Sequence, residues 1–159
     1  MRVLDAIAER RSAVILASGA LLLDQVSKDL AVTLLNGEAP VMAGPFALTY
    51  ARNPGAALGS FGGLPEALRL PVVLSLSLVA LLVVLPFIAI QTHAGPGRAA
   101  GVSLVLSGAL GNLLDRVRHG FVIDFITLNP AITSRFPVFN LADVAVISGA
   151  LLLLLFMRR

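Results

Sequence analysis

Asp24, Asp115, Asp124 and Asp143, together with Lys28, stand in or beside stretches of sequence that are otherwise largely apolar. A charge buried in such a stretch costs about 2.5–3.5 kcal/mol on insertion scales, so each one requires a partner or a task. Asp24 and Lys28 are spaced i, i+4 and share a helix face, where an ion pair lowers the cost of both. They serve either as scaffold or in direct contact with a substrate. Gly108, Asn112 and Asp115 share a face at i, i+4 and i+7, and Arg116 adjoins Asp115 as the other half of an internal brace. Asp124 and Asp143 remain as the carboxylates at the mouth of this cluster. When two carboxyl groups share a site, both do not readily ionise. One can take a proton from water while the other donates to the oxyanion that forms as the water attacks a peptide carbonyl. Such a pair titrates jointly, so acid and base are not assigned to individual residues. Taken singly, Asp124 reads as a loop carboxylate and Asp143 as an acid favoured in a first helical turn by the dipole.

Other chemistries find less support. The chain contains no cysteine, which removes thiol nucleophiles, disulfides and thiolate metal sites. Its Ser-Gly pairs are preceded, two positions before the serine, by Leu16, Val105 and Val146, so no Gly-x-Ser-Gly element is present. His93 and His119 stand alone, without the His-Glu-x-x-His spacing of a zinc peptidase. A divalent ion held by Asp115, Asp124 and Asp143 is the remaining metal alternative; the reading adopted has no metal and no cofactor. The isoelectric point near 10.6 does not indicate nucleic acid, because the basic residues gather at the ends of apolar runs rather than among aromatics.

The elements that position these residues follow from composition. The 159-residue chain is 57% hydrophobic and 13% charged, with a mean hydropathy of +0.92. Apolar runs at 13–35, 71–90, 99–117 and 141–157 each match the roughly 20 residues that cross a bilayer core about 30 Å thick. Several are apolar around the whole circumference, unlike the striped helices of a soluble bundle. At about 1.5 Å per residue, Asp24, Lys28, Asn112 and Asp115 rise about 17–24 Å along their spans, while Asp143 lies about 5 Å below the outer surface. Three helices thus carry polar groups to one level in the outer third of the membrane. Ser103, Ser107 and Gly111 form a small-residue stripe that admits a neighbouring helix. Residues 36–68 form an outer loop in which Phe46, Leu48 and Tyr50 alternate with Ala47, Thr49 and Ala51, predicting a small β-rich subdomain resting on the bilayer. Residues 119–139 form a second outer loop, and the whole chain is one domain. Arg2, Arg10, Arg11, Arg158 and Arg159 place both termini in the cytoplasm. The first run also has the look of a secretory leader, but it reads as an uncleaved first helix.

Read together, the motifs resemble the lipoprotein signal peptidase (signal peptidase II) family of bacterial inner membranes. They run through Asp24-Gln25-Val26-Ser27-Lys28, Arg52-Asn53-Pro54-Gly55-Ala56-Ala57, and Gly108 to Arg116 with Asn112-Leu113-Leu114-Asp115 inside it. Val122-Ile123-Asp124-Phe125 and Phe136-Pro137-Val138-Phe139-Asn140-Leu141-Ala142-Asp143 complete the series. The resemblance implies an aspartic endopeptidase that removes signal peptides from diacylglyceryl-modified prolipoproteins, cutting before the lipidated cysteine. It implies Asp124 and Asp143 as the catalytic pair, with Asn53, Gly55, Gly108, Asn112, Arg116 and Asn140 lining or supporting the site. Asp24, Lys28 and Asp115 then form its polar core. A β-cradle with a short outer helix, inhibition by the cyclic peptide globomycin, and a multi-pass location with the site near the periplasmic side follow from the same likeness. The expected partners are diacylated prolipoproteins and membrane lipid, with no nucleic acid and no obligate protein partner. Leu58 and Val144 depart from the family's usual residues at the lip of the site. The competing reading, a small transporter or proton-relay subunit built on the intramembrane carboxylates, lacks a relay continuing toward the inner face.

Overall fold

The computed structural model describes residues 3–55, 65, 67–68, 70–75, 78, 95–129, 131–133 and 136–156. The first expected span lies within a longer helix, α1, Val3–Leu35, whose 33 residues extend about 50 Å. Of the second expected span, 71–90, residues 71–75 and 78 are helical and the remainder lies outside the described residues. The third corresponds to α2, Pro96–His119, and the fourth to α3, Leu141–Phe156. Pro96 opens α2, where its missing N–H costs nothing. Gly120 closes it in the left-handed conformation, with φ 81° and its N–H donating to the carbonyl of Arg116 at 3.0 Å. Among the described residues, α2 alone is both long and apolar enough to cross a membrane, and α3 is a shorter apolar helix.

Three antiparallel strands form one sheet in the order β1 (Val41–Ala43), β2 (Phe46–Asn53) and β3 (Val122–Leu128). The turn between β1 and β2 is Gly44-Pro45, where Gly44 has φ 61°. Because β3 comes from the segment between α2 and α3, the β subdomain is not built from residues 36–68 alone, and Asp124 sits on a strand rather than in a loop. Residues 122–125 are buried at every position, so the strand lacks the alternation expected of a half-exposed one.

The β2–β3 ladder contains a bulge. Leu48 pairs with Ile126 and Ala51 with Asp124, leaving Thr49 and Tyr50 opposite the single residue Phe125. Strict alternation from Phe46 would put Asn53 on the face of Ala47. The extra residue instead carries Asn53, paired with Val122, to the face shared by Ala51 and Asp124.

The helices approach through small residues. A side chain on Gly101 would meet the backbone oxygen of Gly149 at 2.9 Å, and one on Gly108 would collide with that of Ala142, so α2 and α3 touch backbone to backbone. On another face of α2, Ser103 Oγ donates to the carbonyl of Ala13 at 2.9 Å and Gly111 lies against Asp24, which seats α1 on the expected small-residue stripe. Ala31, Leu35 and Phe125 form an apolar cluster with Leu48, Tyr50, Ile126 and Leu141, tying the end of α1 to the sheet and to the start of α3.

Polarity is distributed the opposite way from a water-soluble bundle. Asp24, Lys28 and Asp115 are each 1% exposed, whereas Ile15, Leu22, Ile147 and Leu155 are all more than 60% exposed. Apolar surface of this extent fits a lipid surrounding, where it carries no hydration cost.

Candidate active site

The site assembles where the later part of α1, the end of α2, the sheet and the start of α3 converge. Asp124 is 2% exposed on β3, and both of its oxygens are occupied. Oδ1 accepts from Asn140 Nδ2 at 2.6 Å and Oδ2 from Asn53 Nδ2 at 2.8 Å. Asn53 is itself fixed by the turn that follows: its Oδ1 accepts the N–H of Gly55 at 3.0 Å, closing a turn over Pro54. Only glycine suits position 55, since φ is 97° and an added Cβ would lie 2.6 Å from a Val73 methyl.

Asp143 is placed by the start of α3. Asn140 caps this helix, its Oδ1 accepting the N–H of Asp143 at 2.9 Å, and Asp143 Oδ2 accepts the N–H of Asn140 at 3.2 Å in return. The two make a reciprocal capping box, which fixes both rotamers. Asp143 Oδ1 accepts from Asn112 Nδ2 at 2.9 Å, and the N–H of Ala142 is satisfied by Asp24 Oδ1 at 2.8 Å. Asn140, fully buried at 0% exposure, therefore touches both candidate carboxylates, one through its amide nitrogen and the other through its cap.

Beneath them lies a closed charge network. Lys28 Nζ stands 2.9 Å from Asp24 Oδ2, 2.9 Å from Asp115 Oδ2 and 3.0 Å from Asn112 Oδ1, one acceptor for each of its three protons. Asp115 Oδ2 also accepts the N–H of Ile123 at 3.0 Å, fixing β3 one residue before Asp124. Removing one partner of a buried group of this kind costs about 3–5 kcal/mol. Asp115 braces three elements at once through Lys28, Gln25 and the N–H of Ile123, while Arg116, about 100° round the helix, points elsewhere. Arg116 Nη1 donates to the carbonyl of Asn112 at 3.1 Å, and its Nε is buried without a hydrogen-bond partner among the described residues.

Burial pushes the Asp124 carboxyl up to about 6, and the nearby negative charge of Asp143 adds to the rise. Hydrogen bonds from Asn53 and Asn140, and the charge of Lys28, oppose it. A carboxyl near 6 beside a second carboxylate exchanges a proton in the range where acid–base catalysis operates.

The family described as signal peptidase (SPase) II matches residues 16–159. The chain belongs to the signal peptidase II family. Relatives named lipoprotein signal peptidase include one from Syntrophus aciditrophicus, 38% identical over 84% of this chain and 83% of its own length. Others come from Pelotomaculum thermopropionicum, at 42% over 84% and 82%, and Geobacter sulfurreducens, at 40% over 89% and 88%. A solved bacterial membrane enzyme superposes with a TM-score of 0.73 at 27% identity, covering 92% of this chain and 87% of that one. A second solved bacterial membrane enzyme gives 0.74 at 26%, covering 92% of each. The chain is accordingly a signal peptidase and a membrane enzyme.

Within this family frame, the structure brings Asp124, Asp143, Asn53, Asn112 and Asn140 into one connected set, with Gly55 shaping the turn and Gly108 the α2–α3 approach. Asp24, Lys28 and Asp115 form the layer beneath. Asp115 is turned to Lys28, Ile123 and Gln25, away from the ion-binding trio considered from sequence. His119 stacks on Phe121 at 5.9 Å between ring centres, and His93 lies outside the described residues. Sequence reasoning missed the reciprocal cap of Asn140 and Asp143, although a polar residue three positions before an acid at a helix start is its signal. It also assigned no role to Gln25.

Proposed function

We propose that this signal peptidase is a four-span aspartic endopeptidase of the bacterial inner membrane, with Asp124 and Asp143 as its catalytic pair. Its substrates are diacylglyceryl-modified prolipoproteins, cut before the lipidated cysteine. Both termini lie in the cytoplasm, and the site opens near the periplasmic side. The observation that carries the reading is the single buried asparagine that hydrogen-bonds to both aspartates. Held in this way, one carboxyl keeps a proton while the other activates water. The protonated partner then donates to the developing oxyanion, and the carboxyl that took the proton from water returns it to the departing amine. Asn112, Asn140 and Asn53 supply preset dipoles that need little reorganisation during the reaction. A diacylated substrate must stay partly in lipid while its scissile bond meets water, and a polar cluster at one end of an apolar bundle offers both conditions.

Purified protein incubated with a diacylated precursor peptide tests this reading. Asp124→Asn and Asp143→Asn should each lower turnover by about 10³-fold, within the range attributable to acid–base groups, while remaining folded and inserted. Near-parental turnover by either variant contradicts the assignment.

A further inference from the structure

Gln25 lies half-buried on α1, and its amide has opposite surroundings on its two sides. Nε2 is 3.1 Å from Asp24 Oδ2, 3.2 Å from Asp115 Oδ1 and 3.3 Å from the carbonyl of Gly111. On the other side, Oε1 accepts from Arg118 Nη1 at 3.0 Å. A flipped amide would set an acceptor against three oxygens and a donor against a guanidinium, so only one orientation satisfies both sides. Arg118 therefore aims Nε2 at Asp115. Lys28 and the N–H of Ile123 hold Oδ2 of that carboxylate, and Gln25 holds Oδ1. With both oxygens engaged, the plane of the carboxylate is fixed, and with it the backbone of β3 immediately before Asp124.

We propose that Gln25 is a positioning residue for Asp124, acting through Asp115 and aimed by Arg118. This rests on the reading of Asp124 as a catalytic carboxylate. A reacting group displaced by 1 Å loses about 100-fold in rate, and loosening one end of the Asp115 carboxylate moves Asp124 by less than that. The expected loss is correspondingly smaller and falls on turnover rather than on substrate binding.

Gln25→Glu isolates the donor. It preserves size and the acceptor for Arg118, but an ionised carboxylate cannot donate to Asp115. The charged groups facing position 25 are Asp24 and Lys28 from α1, and Asp115 and Arg118 from α2. Assayed on a diacylated precursor, the variant should lose about tenfold in kcat near pH 8 with KM changed less than about twofold. As the pH falls, protonation of the new carboxyl returns a donor, so the ratio of its kcat to that of the parent should climb toward one. A ratio that stays constant with pH, or stays near one throughout, overturns the proposal. Should Gln25→Glu not insert, Arg118→Met leaves the glutamine in place and removes only the bond that steadies its amide from the outer side. It should lower kcat about threefold with KM unchanged, and parental kcat overturns the proposal. Asp124→Asn in the same assay separates the two layers. Full turnover there overturns the catalytic reading, whereas an inactive Asp124→Asn beside a silent Gln25→Glu and a silent Arg118→Met overturns only the role of Gln25.

Discussion

At the end of the bundle where α3 begins, α2 meets its neighbours through side-chain polar groups: Asn112 reaches Lys28 and Asp143, and Asp115 reaches Lys28 and Gln25. At the opposite end the same helices meet through backbone and apolar contact. Gly101 and Gly149 each turn the side that lacks a Cβ toward the other's carbonyl oxygen, the Phe156 ring covers Gly97, and Arg98 Nε donates to the carbonyl of Phe156 at 2.9 Å. The apolar end gains from close packing, and Arg98 there is only half-buried. The polar end buries an ammonium and several carboxylates, an arrangement that is rarely the most stable filling for such a space. Its return is geometry, since each acidic oxygen is fixed by a directional bond. The comparison assigns stability mainly to one end and chemistry to the other.

That division can be broken most severely at Asn140. Asn140→Ala removes the side-chain cap of α3 and the amide donor to Asp124, leaving only its backbone N–H on Asp143, so turnover should fall by about 100-fold or more. Its cost in thermal stability should be about 2–3 kcal/mol, the cap together with a buried Asp124 oxygen left without its donor. A large loss of stability with modest loss of turnover would erase the distinction between the two ends. The reverse pattern is expected at the apolar end. Gly149→Val forces a side chain against Gly101 and Val105 and should destabilise the protein by about 1–3 kcal/mol, while the inserted fraction keeps parental kcat. Thermal unfolding in detergent, paired with turnover per folded molecule, measures both.

The smallest effect sharpens the comparison through pH. With its carboxyl raised to about 6, Asp124 gives up its proton as the pH rises through that value. The singly protonated pair then yields to a doubly ionised one, and kcat/KM, which reports the free enzyme, should decline on that side. The Asn53 hydrogen bond favours the ionised form, so Asn53→Ala should move this limb to higher pH. A limb that stays in place, or moves to lower pH, contradicts the account.

The parts of this arrangement legible in the sequence are those with a local spacing rule. The i, i+4 pair of Asp24 and Lys28, the stripe containing Ser103 and Gly111, and the positions of α2 and α3 follow from helical periodicity. Contacts made across the chain were less accessible. Val122 to Phe125 is buried on both faces and shows no alternation, so β3 read as loop. The bulge at Thr49 and Tyr50 shifts the face of Asn53 without any mark in composition. Asp115 chose Lys28, remote in sequence, over the adjacent Arg116, a choice governed by side-chain direction rather than by proximity along the chain.

If the two carboxylates act as one unit, removing the second after the first costs nothing further. Single-turnover cleavage of a diacylated precursor should be measured for Asp124→Asn, Asp143→Asn and the variant carrying both changes. Members of one catalytic unit are strongly non-additive. The account predicts that the doubly substituted protein is no slower than either single one, all three sharing the same residual rate. Two partial losses that multiply in the double variant would show independent groups and contradict it.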